Sequence, residues 1–368
     1  MNKVLIRDTS VNTISSILEE IFDKYQIESK VKNKKVLVKP NLLGAFSPER
    51  GVTTDPRLVG EIVQRLKRYK AKEIIVGDNS GSIHFNPLKI ARETGILEAS
   101  GDCFQNIAGE VAEVQVRSKY LNKLIISKVF TDADYIINLP KFKTHGLVKI
   151  TGAIKNMFGM IPGGKKAQLH TLTHSIREFA ELLVDIYQIR IPDFNIMDAI
   201  IGMEGNGPTN GKPRMINQII CSDNGVAMDA IMTTIMGLKP SSIEMLQIAQ
   251  QRGLGEIDIS NIEIDGKLEI IKDFKVPGKG ILHEIRRYAT PYVFNYAKVK
   301  PIIDIRKCQR CYQCIKVCPT EAMQVKNSFP EANRQKCVSC FCCDEHCPYG
   351  AIILPSWTID LINRIRGR

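Results

Sequence analysis

Two stretches of the chain are built on one cysteine pattern: Cys308-Gln-Arg-Cys311-Tyr-Gln-Cys314-Ile-Lys-Val-Cys318-Pro319 and Cys337-Val-Ser-Cys340-Phe-Cys-Cys343-Asp-Glu-His-Cys347-Pro348. Both follow C-x2-C-x2-C-x3-C-P, and the second copy lies 29 residues after the first. Three thiolates at this spacing bind one iron–sulfur cube, and the fourth Cys of each run binds the other cube. We therefore assign the first cluster to Cys308, Cys311, Cys314 and Cys347, and the second to Cys337, Cys340, Cys343 and Cys318.

Structural zinc is the alternative, because C-x2-C pairs also bind zinc. A zinc site needs four ligands, however, and needs neither a third Cys at the C-x2-C spacing nor the Pro after the last Cys. We therefore predict two 4Fe–4S clusters. Residues 301–354 resemble a bacterial two-cluster ferredoxin, which implies a small α+β domain with electron-transfer activity.

The composition describes a large, basic chain. With 368 residues, 44% of them hydrophobic, it is long enough to form two domains. We find no apolar run long enough for a transmembrane segment and no signal-peptide core, so we expect a cytoplasmic protein. Eleven Cys in that compartment favour metal binding over disulfides. The net charge of +12 favours acidic partners or anionic ligands.

The N-terminal part alternates strands and helices. Lys35–Pro40 and Glu73–Asp78 are predicted strands, and Asp55-Pro56 is predicted to begin the helix between them. This order is typical of a mostly parallel α/β sheet, in which ligands bind at the carboxyl ends of strands. Four side chains are placed at those ends, and each is a ligand contact or else a cap or turn residue: Lys39, Asn41, Asp55 and Asp78. Of these, Lys39, Asn41 and Asp78 are our candidates for cofactor binding.

A basic window follows the predicted strand Asp134–Pro140. Residues 135–177 hold no Asp or Glu, but six Lys, one Arg and three of the six His. A solvated basic face is one interpretation. Against it, several of these side chains directly follow a strand end, and glycines between them allow the backbone to approach a ligand closely. We predict an anion site for a carboxylate or phosphate, formed by Lys141, Lys143, His145, Lys155 and Asn156.

Three further features bear on this site. His170 and His174 lie one helical turn apart, but no third metal ligand is evident, so we expect His170 to contact a ligand or to be structural. Phe194–Asp198 is a predicted strand with Asp198 at its end, followed by a glycine-rich loop that could close over the site. Asp229 is predicted to begin or cap a helix through Met236.

The motifs Lys39-Pro40-Asn41, Gly77-Asp78, Leu139-Pro140-Lys141-x-Lys143-x-His145 and Gly152-x-x-Lys155-Asn156-x-x-Gly159 resemble the family called domain of unknown function 362. The glycine-rich loop Gly205–Gly211 matches as well. The resemblance covers about residues 1–265, and the family occurs alone or fused to a two-cluster ferredoxin. It implies an iron–sulfur-centre protein and the positions of site residues, but no substrate.

The expected architecture is thus α/β, with a mostly parallel sheet in the N-terminal domain and a small ferredoxin-like α+β two-cluster domain. We predict the α/β domain over residues 1–268 and a linker or docking helix over 269–300. The ferredoxin domain follows over 301–354, and an amphipathic tail ends the chain over 355–368.

Two functions remain open at this point. In the first, the chain is an iron–sulfur oxidoreductase whose clusters pass electrons to an anionic molecule in the α/β domain. His145 would then be the candidate proton donor, because histidine titrates near physiological pH. In the second, the chain is an electron carrier whose α/β domain only docks an acidic redox partner, such as a ferredoxin, flavodoxin or reductase. A flavin stays possible, whereas nucleic-acid binding is disfavoured, since no DNA-binding motif appears.

Overall fold

The computed structural model describes residues 2–9, 11–80, 87–162, 166, 169, 172–173, 175–277, 301–318, 320–333, 335–337, 343 and 347–353. Most of the predicted linker and the whole predicted tail lie outside these residues. The boundaries of the predicted domains therefore stay predictions.

A nine-stranded sheet organises the N-terminal part. Its strands are β1 (Asn2–Asp8), β2 (Lys35–Lys39), β3 (Glu73–Val76), β6 (Tyr135–Asn138), β7 (Lys141–His145), β8 (Lys149–Ile150), β9 (Phe194–Glu204), β10 (Lys212–Ser222) and β11 (Ile262–Asp265). Their order is β11-β1-β10-β9-β6-β2-β3, and β7 pairs with β9 and β8. The pairs β1–β11, β2–β3, β2–β6, β6–β9 and β7–β9 are parallel. This confirms the predicted α/β class with a mostly parallel sheet.

Helices cover both faces of the sheet, which explains why its central strands are apolar throughout. In β2, Val36 and Val38 pack into one core and Leu37 into the other, as the two-residue period of a strand requires. The helices are α1 (Ile14–Lys24), α2 (Ile27–Val31), α3 (Pro56–Arg68), α4 (Pro87–Glu93), α5 (Ile96–Ser100), α6 (Val129–Asp132), α7 (Gly152–Asn156), α8 (Ile176–Ile189), α9 (Gly225–Ile235) and α10 (Glu244–Gln251). Apart from the sheet, β4 (Val111–Gln115) and β5 (Lys123–Ser127) form an antiparallel hairpin.

Helix α3 begins where the sequence predicts. The Asp55 carboxylate accepts the backbone N–H of Arg57 at 2.9 Å, and Pro56 occupies the first helical position. The buried face of α3 is apolar. The capped N-terminus of α3 therefore lies near the carboxyl end of β2, beside the predicted site.

Two predictions in the second half of the sheet were wrong. Asp198 does not end a strand, because β9 continues to Glu204 and pairs with β10 as a long hairpin. Asp229 does not begin a helix, because Asn224 caps α9 and Asp229 lies in its second turn. Both carboxylates are buried by the strands and helices around them.

The ferredoxin-like region is small and built from short elements. Its strands are β12 (Ile302–Ile303), β13 (Met323–Lys326), β14 (Phe329–Ala332) and β15 (Ile352–Ile353), and its described helix is α11 (Gln313–Lys316). The antiparallel pair β12–β15 joins the start of the region to its end, and β13–β14 is a hairpin between the two cysteine runs.

Candidate functional site

The cysteine repeat is also a repeat of backbone hydrogen bonds. The N–H of Asp304 donates to the carbonyl of Ala351 at 2.8 Å, and the N–H of Asn333 donates to the carbonyl of Ala322 at 2.7 Å. Asn333 lies 29 residues after Asp304, and Ala351 lies 29 after Ala322, so the two bonds are equivalent. Each joins the start of one half to the end of the other.

The fourth cysteine of each run has the same environment. The Cys318 sulfur accepts the N–H of Ala322 at 3.2 Å, and the Cys347 sulfur accepts the N–H of Ala351, also at 3.2 Å. Because Ala322 and Ala351 pair with the opposite halves, each fourth sulfur is held beside the other run. This arrangement supports the predicted exchange of ligands between the runs.

All four cysteines of the first predicted set line one cavity: Cys308, Cys311, Cys314 and Cys347. Burial, and then the neighbouring thiols of Cys347, Cys311 and Cys308, raise the pKa of the Cys314 thiol to about 12. Among the described residues, no three Cys, His, Asp or Glu side chains are spaced to hold a single metal ion. The cavity and its four soft ligands fit an iron–sulfur cube.

The backbone around Cys311 supports the same assignment. Arg310 and Tyr312, on either side of it, both adopt left-handed conformations, with φ of 54° and 56°. Such conformations are costly for residues other than glycine and cluster at functional sites. Alternation of right- and left-handed residues aims successive N–H groups at one point, which is a recurrent way of binding iron–sulfur clusters.

The second predicted set is described in part. Cys337 and Cys343 are buried and Cys318 is partly buried, whereas Cys340 and the neighbouring Cys342 lie outside the described residues. When bound, a cube supplies one-electron redox chemistry; the protein supplies thiolates, N–H donors and burial, which set its potential.

A second group of polar side chains occupies the carboxyl ends of the parallel strands. Lys39, the last residue of β2, is fully buried, and its ammonium lies 2.9 Å from the Asp78 carboxylate. Burial lowers the pKa of Lys39, and Asp78 opposes that change. Asp78 also accepts the N–H of Leu42 at 2.9 Å. Gly159 packs so closely that an added Cβ would lie 2.7 Å from the Lys39 ammonium.

A chain of side-chain amides extends from this ion pair across the strand ends. The ammonium of Lys143 donates to Asn41 at 2.8 Å, and Asn41 donates to Asn156 at 2.8 Å. Asn156 in turn donates to Asn138 at 2.7 Å, and Asn138 donates to Asn195 at 2.9 Å. Asn156 also donates to the backbone carbonyl of Lys39 at 3.5 Å. This strand-end network, formed by Lys39, Asn41, Asn138, Lys143, Asn156 and Asn195, joins β2, β6, β7, α7 and β9. It therefore fixes the predicted site residues Lys143, Asn41 and Asn156 relative to one another.

Lys141 belongs to a neighbouring ion pair. Its ammonium lies 2.6 Å from the Asp198 carboxylate, and both side chains are buried. Asp198 also accepts the N–H of Asp55 at 2.7 Å, which ties the start of α3 to β9. The positive charge of Lys141 is thus compensated by the Asp198 carboxylate.

His145 lies at the end of β7 and is 1% exposed. Its Nδ1 accepts the N–H groups of Leu147 and Val148 at 3.1 and 3.3 Å. A nitrogen that accepts two N–H groups carries no proton, so this geometry favours the neutral ring with its proton on Nε2. His145 can therefore donate a proton only from Nε2.

Lys155 and Lys166 approach one aromatic ring. Each ammonium lies 5.8 Å from the centroid of Phe158, within the range of a cation–π interaction. Lys166 also donates to the carbonyl of Asn79 at 2.6 Å. Lys155 is only half-buried, which distinguishes it from Lys141 and Lys143. His170 lies outside the described residues.

Asp229 stabilises the start of the helix that carries two of the predicted site residues, a role that the sequence pattern did not predict. Its carboxylate accepts the N–H groups of Ala153 and Ile154 at 2.6 and 3.1 Å, and so caps α7, which carries Lys155 and Asn156. Burial raises the pKa of Asp229 to about 7, and those two N–H donors oppose the rise. The preceding Gly152 has φ of +64°, and a Cβ there would collide with the Asp229 carboxylate.

None of the described helices combines the length and apolar character needed to cross a membrane. The chain is 32% identical to the Thylakoid-associated protein sll1697 of Synechocystis sp. (strain ATCC 27184 / PCC 6803 / Kazusa) over 232 residues. That match covers 60% of this chain and 68% of the relative.

Two family models match in the order expected from the motifs. A 4Fe–4S dicluster domain matches residues 300–348, so the C-terminal region has an iron–sulfur electron-transfer role. The model described as Domain of unknown function (DUF362) matches residues 36–234, which include the whole strand-end network. The chain therefore belongs to the DUF362 family and carries, after that domain, a 4Fe–4S dicluster domain.

Proposed function

We propose that this protein is an iron–sulfur oxidoreductase in which two 4Fe–4S clusters pass electrons to an anionic molecule at the strand ends of the α/β domain. The observation that carries the proposal is the burial of Lys39, Lys141 and Lys143, each at most 1% exposed, where parallel strands end. Asp78 and Asp198 compensate Lys39 and Lys141, but buried ion pairs add little stability over apolar residues of the same size, so stability alone does not explain this group of cations.

The lysines at the strand ends are suited to binding a small ligand rather than to docking a protein. Lys141 and Lys143 are too deeply buried to contact a docked partner. Their orientations are fixed by Asp198 and Asn41, as a preorganised binding site requires. We propose that Lys143, Lys155 and Asn156 bind the anion, while Lys39, Lys141, Asn41 and Asp78 hold the network in place.

His145 is the proposed proton donor. Reduction of an organic molecule by single electrons usually requires protons, and the hydrogen bonds to Nδ1 leave the proton of the neutral ring on Nε2. Lys141 would act by compensating the charge of the buried Asp198 carboxylate, because its ammonium is paired with that group.

The rival function is an electron carrier whose α/β domain only docks an acidic partner. Exposed lysines spread over a convex surface would favour it. Lys155 is the one member of the predicted lysine set with partial exposure, so it decides between the two functions.

The first experiment identifies the ligand. Protein purified without oxygen is denatured, and the released small molecules, including any flavin, are identified by mass spectrometry. The proposal expects an anionic compound that is strongly depleted in the variant Lys155→Ala. The matched control is Lys123→Ala, which removes an exposed lysine on the hairpin strand β5, where it pairs with Glu113.

The second experiment measures the affinity of inorganic phosphate, succinate and the recovered compound at low and high salt. A charge-assisted hydrogen bond contributes roughly 1.5–3 kcal/mol, or about 10- to 100-fold in affinity. We expect such a loss for Lys155→Ala at both salt concentrations, with unchanged iron content. Small losses that vanish at high salt would instead favour the carrier, because salt screens exposed charges.

A further inference from the structure

The two halves of the cysteine repeat differ in charge although their cysteines have the same spacing. Residues 302–318 hold four basic residues and one acidic residue. The equivalent residues 331–347 hold two basic and three acidic residues. The largest change is at Lys316, whose equivalent 29 residues later is Glu345. The surroundings of the first cysteine run are therefore basic, and those of the second are slightly acidic.

The basic side chains of the first half face solvent. We define the basic face as the exposed side chains Arg306, Lys307, Arg310 and Lys316. Arg306 pairs with Asp304 at 3.2 Å, and the Arg310 guanidinium stacks 4.4 Å above the ring of Phe329. Stacking limits the freedom of Arg310, so less entropy is lost when it binds a carboxylate.

An exposed sulfur and apolar side chains adjoin the basic face. Cys311 is exposed, although it lines the cavity assigned to the first cluster. Tyr349 lines the same cavity and is 47% exposed, and Ile305, beside Arg306, is 63% exposed. Exposed apolar groups with a polar or charged rim are typical of protein docking surfaces.

We propose that the basic face docks a small acidic one-electron carrier protein and that electrons enter the chain through the first cluster, at Cys311. This inference rests on the proposed two-cluster relay. In the step itself, the anionic hydroquinone of a flavodoxin would lose one electron and become the neutral semiquinone. That electron would reduce a cluster held by Cys308, Cys311, Cys314 and Cys347. Charge complementarity selects the carrier, because the acidic surface of a flavodoxin is attracted to the first half of the repeat and not to the second.

The test uses the full chain with its clusters and a purified acidic flavodoxin in the hydroquinone state. Stopped-flow absorbance follows cluster bleaching in wild type, Lys307→Glu and Lys336→Glu. Lys336 is the matched control, because it is exposed and occupies the same repeat position. At low ionic strength we expect Lys307→Glu to lower the second-order rate constant about 5- to 10-fold. Lys336→Glu should change it less than about twofold, and high salt should remove the difference.

Equal slowing by both variants, greater slowing by Lys336→Glu, or no slowing by either would overturn the proposal. Iron content is measured for each variant, and Lys316→Glu replaces Lys307→Glu if that variant loses its clusters. Lys307→Arg should restore the wild-type rate. Because cluster bleaching needs no ligand in the α/β domain, failure of this docking is distinguishable from failure of the proposed anion site.

Discussion

The two parts of this molecule are specified in different ways. The ferredoxin-like region holds its candidate ligands within 40 residues, and their spacing alone predicts which sulfurs share a cavity. The strand-end network joins Lys39 to Asn195, and only the order of strands in the sheet brings these residues together. Cluster binding in the ferredoxin-like region should depend on each cysteine ligand separately. The geometry of the strand-end network should depend on a connected set of buried hydrogen bonds and ion pairs.

The largest expected effect is loss of the first predicted cluster without damage to the α/β domain. Cys347→Ser removes the ligand contributed by the second run, so the first cluster should be lost and iron should fall from about eight to about four per chain. The α/β domain should keep its thermal stability. Iron and sulfide analysis with visible and EPR spectra measures this.

A matched pair of adjacent cysteines controls that experiment. Cys342 is outside the repeat pattern and Cys343 is a predicted ligand. Cys342→Ser should retain full iron, whereas Cys343→Ser should lose or convert the second cluster. Equal iron loss from these two variants would mean that the ligand is wrongly assigned.

The next largest effect is a loss of stability when the buried Lys141–Asp198 ion pair at the strand ends is removed. Lys141→Met leaves the Asp198 carboxylate buried without its cation, which should cost about 3–5 kcal/mol in the free energy of unfolding. The double variant Lys141→Met with Asp198→Asn should recover most of that loss. Lys3→Met is the control, because Lys3 forms a solvent-exposed pair with Glu263 and should cost at most about 1 kcal/mol.

Denaturation followed by circular dichroism, with iron analysis alongside, measures these free energies. A cost for Lys141→Met no greater than that for Lys3→Met would mean that the buried pair does not stabilise the strand ends. Loss of iron in step with unfolding of the α/β domain would show that the two regions are not independent.

The smallest effect is a pH dependence of protein stability that arises from Asp229, the residue that caps α7. Because burial raises the pKa of Asp229 to about 7 from 3.8, the folded protein binds a proton that the unfolded chain releases between these values. The stability that Asp229 contributes is thus present at low pH and is lost as pH rises toward 7. Asp229→Asn cannot titrate, so its free energy of unfolding relative to wild type should rise by roughly 1.5 kcal/mol between pH 5.5 and 7.

Thermal and denaturant unfolding at these two pH values measures the difference. A wild-type protein and an Asp229→Asn variant with parallel pH profiles would contradict it. Asp185→Asn is a useful control, since Asp185 is also buried on a helix but pairs with Arg252.

The extent to which the sequence predicts each region follows from the same contrast. The strand ends were predictable because Lys39 and Asp78 directly follow apolar runs that can only be buried strands. The partners Asn138, Asn195 and Asp198 were not, because hairpin length and strand order decide whether a polar residue faces the network. Asp229 was mistaken for a helix start, since its true partners, Ala153 and Ile154, are about 75 residues away in sequence.

The most direct test of the central claim asks whether reduced clusters deliver electrons to the strand-end site. Full-length protein with reduced clusters is mixed, without oxygen, with the anionic compound recovered from it, and cluster reoxidation is followed by absorbance. We predict a rate that saturates with concentration, and a half-saturating concentration at least about tenfold higher for Lys155→Ala, with equal iron content. A rate that rises linearly and is identical in wild type and Lys155→Ala would contradict the account.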